Sequence, residues 1–270
     1  MPVSASDPPL PPDVRQWDGL ALRYDSSRPP LPDACIELVC DAAGVRSPSL
    51  VVDLGSGTGL SSRPWVGRAD RIVGVEPNDE LRALAEARGG GHELSYASGD
   101  GAATGLPAGE ADVVTAVQSL HWMDPEATFA EVDRLLRPGG VFAAVDCDYP
   151  PFVDWEIGRA WERLARTARR RLGQRRLLRG RRRLDPSQHA ARLSASRRFR
   201  GVADLALHER RAGSAAELVA LATSQSAVAR LLELGDEPVA AALAELERAA
   251  LAGAAAHAWS WIFRVRLALK

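Results

Sequence analysis

Between residue 49 and about residue 150, short apolar runs alternate with amphipathic segments, and past that point the rhythm changes. The runs at 49–53, 71–76, 112–117 and 141–146 are rich in β-branched residues and read as buried strands, with a weaker one at 93–97. Helical periods separate them. Asn78 caps a helix that stops at Gly89, a short helix ends near Gly67, and another occupies 125–136 before Pro138-Gly139-Gly140. Strands and helices of these lengths in alternation predict right-handed βαβ crossovers and a parallel sheet. The fold class is therefore α/β, a Rossmann-like doubly wound sheet.

Ahead of this core, residues 13–27 have helical spacing through Trp17, Leu20, Leu22 and Tyr24, and Arg28-Pro29-Pro30 interrupts them. Pro32 and Asp33 then open a helix to about Ala43, with Ile36, Leu38 and Val39 inward and Gly44 as its stop. After Tyr149-Pro150-Pro151 a long helix from about Phe152 runs into the arginine-dense stretch 169–183. Helices follow at 186–195, 214–233 and 236–252, with a strand at 198–208. Near the chain's end Trp261, Phe263, Val265, Leu267 and Leu269 alternate with Ile262, Arg264, Arg266 and Ala268, a period of two that predicts a final strand. The expected organisation is a flexible leader (1–12), a helical lid (13–48), a ligand-binding core (49–150), and cap helices with the last two strands (151–270).

Composition narrows the partners. The chain has 270 residues, enough for one large α/β domain with a small cap, and a net charge of −1 argues against general nucleic-acid binding. No apolar run approaches the roughly 20 residues that span a bilayer, so no membrane association is expected. The opening MPVSASDPPLPPD has neither a basic start nor an apolar centre, unlike a secretory signal. Cys35, Cys40 and Cys147 show no pairing or metal-ligand spacing, which predicts reduced, buried thiols and a cytoplasmic location. No His, Cys or carboxylate cluster has ligand spacing along the chain, and no metal is expected. The arginine stretch reads either as a solvated segment between helices or as a means of capturing an anionic partner.

The stretch Val51 to Gly59, VVDLGSGTG, places a glycine turn at the carboxyl end of a parallel strand, where open α/β sheets bind ligands. Its spacing is G-x-G-x-G, with Leu60 where a dinucleotide fingerprint needs its third glycine. Asp53 before the turn suits a ligand that carries positive charge, such as a sulfonium. Glu76, at the tip of the next strand, offers two acceptor oxygens to a vicinal diol. Asp100 can accept from an adenine amino group, and the Ala102 N–H can donate to a ring nitrogen. Together these describe S-adenosylmethionine rather than NAD.

The ordered set WDGLALRYDSSRPPLP (17–32), VVDLGSGTG (51–59), VGVEPNDEL (73–81), GDGAATGLP (99–107), ADVVTAVQSLHWMD (111–124), LLRPGGVFAAVD (135–146) and WIFRVRLALK (261–270) resembles the class I S-adenosylmethionine-dependent methyltransferases. Within these it is similar to the small-molecule group that includes trans-aconitate-type enzymes. The resemblance implies seven strands with the last antiparallel. It assigns Asp53, Gly55, Ser56, Gly57 and Gly59 to the methionine and ribose end of the cofactor. Glu76 and Pro77 go to the ribose, Asp100, Gly101 and Ala102 to the adenine, and Gln118 and Ser119 to the floor under the sulfonium. Tyr24 and Arg28 belong to the lid, Arg28 toward the cofactor carboxylate.

The expected reaction moves a methyl group to a carbon, nitrogen or oxygen nucleophile of a small molecule, a secondary metabolite, and releases S-adenosylhomocysteine. His121 is the expected base, since it follows the fourth strand and titrates near neutrality. Tyr24 and Trp122 complete the catalytic set, and Trp17, Trp122, Asp146 and Tyr149 the acceptor wall. Two rivals stay open at this point: an enzyme of the same fold that catalyses a cyclisation or rearrangement, and a non-catalytic partner that binds the cofactor. The chain is expected as a monomer or homodimer.

Overall fold

The computed structural model describes residues 28–175, 183–254 and 258–270. The leader, the helix expected at 13–27 with Trp17 and Tyr24, and the middle of the arginine run lie outside these residues. In chain order the elements are α1 (Asp33–Ala43), β1 (Val51–Leu54), β2 (Ile72–Val75), α2 (Asp79–Arg88), β3 (Leu94–Ala97), β4 (Ala111–Val117), α3 (Pro125–Leu135) and β5 (Leu136–Cys147). Then come α4 (Trp155–Gln174), α5 (His189–Ser196), β6 (Gly201–Arg211), α6 (Ala215–Thr223), α7 (Ser226–Glu233), α8 (Glu237–Gly253) and β7 (Trp259–Leu269).

The seven strands form one sheet in the order β3-β2-β1-β4-β5-β7-β6. The pairs through β5 are parallel, and β7 runs antiparallel to both β5 and β6. The order reverses between β1 and β4, which opens a crevice at their carboxyl ends. Successive strand residues face opposite layers: Val113 belongs to the cluster that includes Val51, Ile36 and Trp161, whereas Val114 belongs to the one that includes Val52, Phe129 and Phe142. Burial on both faces is why these strands read as continuous apolar runs rather than alternating ones.

Local chemistry sets the element ends. Gly44 closes α1 at φ 65°, and the Asn78 side chain accepts from Leu81 N at the start of α2. Three expectations are corrected. β5 begins at Leu136, so Pro138-Gly139-Gly140 lies inside a strand, and the β4–β5 register shifts between Ala111 and Val113 to admit it. The helix expected at 214–233 is two helices, because the α6 C-cap Ser224 and the extended Gln225 interrupt it. The segment after the glycine turn makes only a 3-10 turn, Arg63–Trp65, with Pro64 inside it. Among the described residues no helix is long and apolar enough to cross a membrane.

Candidate functional site

A cavity of about 370 Å³ lies along the carboxyl ends of β1 to β4. Its walls include Gly55, Ser56 and Gly57 from the first turn, and Glu76 and Pro77 from the second. Asp100, Gly101 and Ala102 follow from the third, and Gln118, Ser119 and Trp122 from the fourth. Arg28 closes the N-terminal side, its guanidinium 4.5 Å over the Tyr149 ring. Most residues that the sequence assigned to the cofactor thus share one wall.

The turn is held from beneath. Gly55 N and Ser56 N both donate to Val75 O, at 2.8 and 3.2 Å, and Ser119 Oγ donates to Leu54 O at 2.7 Å. Gly55 sits at φ 67°, and a Cβ there would come within 2.7 Å of Ser119 Cβ, so only glycine lets the two loops approach this closely. At Gly59 an added Cβ would fall 2.0 Å from the Tyr96 hydroxyl. Gly59 therefore serves packing behind the turn and is not part of the cavity wall.

Asp53 departs from its expected position. It is fully buried, and its carboxylate accepts from Ser61 Oγ and Ser62 Oγ at 2.6 Å each and from Thr115 Oγ1 at 2.8 Å. Burial pushes its carboxyl up, with the three hydroxyls opposing. All its hydrogen bonds go to the chain itself, and the carboxylate ties the glycine turn to β4 instead of facing the cavity. Asp53 is a positioning residue.

Glu76 does reach the cavity. Its Oε2 accepts from Gly57 N and its Oε1 from Asn78 N, each at 2.9 Å. Burial raises its carboxyl, and these two N–H groups work against the rise. Each oxygen keeps a further lone pair for a diol. Asp100 Oδ1 accepts from Ala102 N and Ala103 N at 2.8 and 2.9 Å. The Ala102 N–H expected to meet a ring nitrogen is therefore turned onto the Asp100 side chain. Gln118 adopts φ 56°, a left-handed conformation uncommon for a residue with a side chain, while its Nε2 donates to Cys147 O at 3.3 Å.

A second cavity, about 700 Å³, adjoins the first, and Gln118, Cys147 and Tyr149 line both. Asp146 lines it too. Its carboxylate lies at the centre of a buried cluster. Asp146 Oδ1 is 3.4 Å from His121 Nδ1, Oδ2 is 3.9 Å from His189 Nε2, and Arg266 Nη1 donates to Oδ2 at 2.7 Å. Burial drives both imidazoles toward the neutral form, His189 down to about 4. Burial also works to raise the Asp146 carboxyl, but His121, His189 and Arg266 together hold it below the usual range. The result is one carboxylate between two neutral imidazoles. His121 itself, 3% exposed, has its ring centroid 5.1 Å from that of Trp122 and lines neither of these two cavities.

This cluster supplies a ligand set that spacing along the chain did not reveal. His121, Asp146 and His189 bring one ligand atom each within 4.8 Å of one another and could hold a divalent ion. The surrounding charge disfavours a cation there, since Arg266 is bonded to the carboxylate and Arg192 Nη1 faces His189 Nδ1 at 3.3 Å. His189 had no signal in the sequence, because it opens a helix 43 residues after Asp146 along the chain. Phe263, one of the alternating residues of the final strand, is buried and also lines the first cavity, because β7 inserts beside β5 and pairs it with Cys147. The Cys147 thiol is pushed up to about 12 by burial, so it stays protonated and is no nucleophile.

Known proteins agree with this geometry. A family model described as a methyltransferase domain matches residues 52–144. The uncharacterized methyltransferase Rv3342 of Mycobacterium tuberculosis is 34% identical over 117 residues, 43% of this chain and 46% of the relative. The sterol 24-C-methyltransferase erg6 of Aspergillus fumigatus is 33% identical over 109 residues, 38% of this chain and 29% of the relative. The match thus spans less than half the length of these curated relatives. Among solved structures, a putative type II methyltransferase from Anaeromyxobacter dehalogenans superposes with a TM-score of 0.63 at 25% identity, covering 90% of this chain and 97% of that one. The [4+2]-cyclase SpnF shares the fold, with a TM-score of 0.53 at 19% identity over 96% and 97% of the two chains. By strand order the chain has the fold of the class I S-adenosylmethionine-dependent methyltransferases, and its residues 52–144 match the methyltransferase domain.

Proposed function

We propose that the chain transfers the methyl group of S-adenosylmethionine to a small-molecule nucleophile and releases S-adenosylhomocysteine. One observation carries the reading: Glu76, Asp100 and the first glycine turn line a single cavity that shares a wall with a second. Glu76 accepts from the ribose hydroxyls, Asp100 from the adenine amino group, and Arg28 pairs with the cofactor carboxylate. Ser56, Gly57, Pro77, Gly101 and Ser119 shape the remaining wall. That Arg28 lines the cavity supports a lid role for residues 13–48.

When bound, the cofactor supplies an electrophilic methyl group on a sulfonium. The chain's part is to hold the acceptor in line with it, since positioning can contribute about 7–11 kcal/mol in favourable cases. A proton carried by the nucleophile leaves to Asp146, which lines the second cavity, and from there to His121. The His121 imidazole is neutral, and its Nδ1 lies 3.4 Å from Asp146 Oδ1, where it can accept that proton.

Calorimetry with S-adenosylhomocysteine on wild type and Glu76→Ala, joined to mass spectrometry with labelled cofactor and a metabolite library, tests the proposal. The expected results are weaker binding in the variant and a product heavier by one methylene unit. An isobaric product would indicate a rearrangement, as in the rival reading. Binding without any product across the library favours a non-catalytic partner. Equal affinity in both proteins removes Glu76 from the site.

A further inference from the structure

Around the first cavity several buried polar side chains are met within the chain. Three hydroxyls hold Asp53, two N–H groups hold Glu76, and Ser119 donates to Leu54 O. Two buried hydroxyls that line the cavity, those of Ser56 and Thr128, have no hydrogen-bond partner among the described residues. Ser56 belongs to the glycine turn already assigned to the cofactor. Thr128 stands near the start of α3, outside every loop so assigned. Its backbone N donates to Asp124 O at 2.9 Å, as the helix requires, but its Oγ1 is left over inside a fully buried residue. An unmet hydroxyl in the interior weakens the fold, so its retention calls for a partner that the free chain lacks.

The surroundings of that hydroxyl define what it would meet. A Cβ on Gly101 would come within 3.1 Å of Thr128 Oγ1 and 2.6 Å of Met123 Sδ, so the hydroxyl stands beside the Asp100–Ala102 loop. Glycine at 101 leaves the space in front of it open. Met123 extends from there to the first turn, where a Cβ on Gly55 would lie 3.0 Å from its Cε. Its unbranched thioether lines the cavity and can yield to a planar group. The same loop is the one read above as meeting adenine. Asp100 offers a carboxylate to the amino group, but the Ala102 N–H is turned onto Asp100 Oδ1. A purine ring held there still needs a donor for a ring nitrogen.

We propose that the Thr128 hydroxyl recognises the cofactor's adenine by donating to a ring nitrogen that flanks the amino group. The inference rests on the methyl-transfer reading above and adds a residue to it. Asp100 then reads the amino group and Thr128 the nitrogen next to it, an acceptor and a donor that together match adenine. A hydroxyl turns its proton to suit, so N1 or N7 can be the partner. A base with carbon at that position leaves the hydroxyl unmet and is rejected. Because the partner arrives only with the ligand, the free chain carries an unmet group that binding relieves. Affinity and stability are therefore opposed at Thr128, which a purely structural threonine would not show.

The test is calorimetry on the full chain with S-adenosylhomocysteine and its 1-deaza and 7-deaza adenine analogues. Wild type is compared with Thr128→Val, which keeps the shape and removes the hydroxyl, and with Thr128→Ser, which keeps the hydroxyl. Thr128→Val should bind S-adenosylhomocysteine about tenfold more weakly, the size of one hydrogen bond in a buried site, and Thr128→Ser should retain most of the affinity. Wild type should reject one deaza analogue by a similar factor, whereas Thr128→Val should bind that analogue and the parent within about twofold of each other. Without ligand, the urea midpoint of Thr128→Val should rise. A midpoint that falls along with affinity would make Thr128 a packing residue and overturn the proposal. So would equal binding of parent and both analogues by wild type, or a preference that survives in Thr128→Val. If wild type binds no S-adenosylhomocysteine, the cofactor reading fails and this inference with it. If wild type and Thr128→Val bind it equally well, the inference alone is defeated.

Discussion

The two cavities are built in opposite ways. Around the first, acidic side chains bond backbone of their own or the preceding loop: Glu76 holds Gly57 and Asn78, and Asp100 holds Ala102 and Ala103. Around the second, the ion pairs cross long distances in sequence, as Asp146 with Arg266 and Asp148 with Arg264 do. A site that shapes its own loops can keep one ligand while the rest of the chain diverges. A site assembled from β5, β7 and the cap is redrawn whenever a cap residue changes. On the methyl-transfer reading proposed above, the contrast fits a fixed cofactor in the first cavity and selectivity in the second.

The most damaging substitution should be His121→Ala. If His121 takes the acceptor's proton, turnover falls by about 10²–10⁴, the range typical of a lost general base. Affinity for S-adenosylhomocysteine should hardly move, because His121 does not line the first cavity. Steady-state kinetics with calorimetry separates the two effects. Unchanged turnover would make the His121–Asp146 pair a structural element.

Asp53→Ala probes the first region from below. It deprives Ser61, Ser62 and Thr115 of their shared acceptor inside the core. Buried unmet donors cost about 1–3 kcal/mol each before relaxation, so a net loss on the order of 3 kcal/mol is expected. A urea midpoint that drops with unchanged slope would register it. A loss of cofactor affinity with unaltered stability would instead return Asp53 to the cavity, where sequence reasoning had placed it.

That misplacement shows what a sequence can and cannot convey. The glycine turn, Glu76 and Asp100 were legible because each lies at a strand end, where chain direction alone sends side chains to the crevice. Asp53 lies one residue earlier, and its strand parity with Val51 points it into a layer of hydroxyls. Composition does not reveal which polar partners wait there. The strand β7 was legible from its alternation, but not the consequence that Phe263 would stand beside Cys147. The cluster of His121, Asp146 and His189 was hidden for the same reason, since it depends on where α5 docks.

The cluster also makes the second region sensitive to acid. His189 in the fold stays neutral down to about 4, whereas an unfolded histidine protonates near 6.5. Between those values the unfolded chain binds more protons. Stability is therefore complete above about 6.5 and declines as pH falls toward 4, with a limiting slope of about 1.4 kcal/mol per pH unit for one group. His121, whose value is also lowered by burial, acts in the same direction. The Asp146 contribution disappears only below the ordinary carboxylate range, outside this window. Urea midpoints at several pH values should show the decline in wild type and a shallower one in His189→Gln. Parallel curves for the two proteins would mean that other groups carry the dependence.

Gln118 is where the two regions meet, and its substitution should have the smallest effect on stability. A left-handed backbone costs a residue with a Cβ about 1–2 kcal/mol, which Gln118→Gly relieves. Against that gain stand the greater freedom of glycine in the unfolded chain, about 0.4–1 kcal/mol, and the bond from Nε2 to Cys147 O. The terms nearly cancel, so the urea midpoint should move by less than about 0.5 kcal/mol. Turnover should nonetheless fall, because Gln118 lines both cavities. Backbone strain retained at such a position indicates that the side chain is needed where it stands. If stability drops by more than about 1 kcal/mol while turnover persists, Gln118 supports the sheet and the two cavities do not communicate through it.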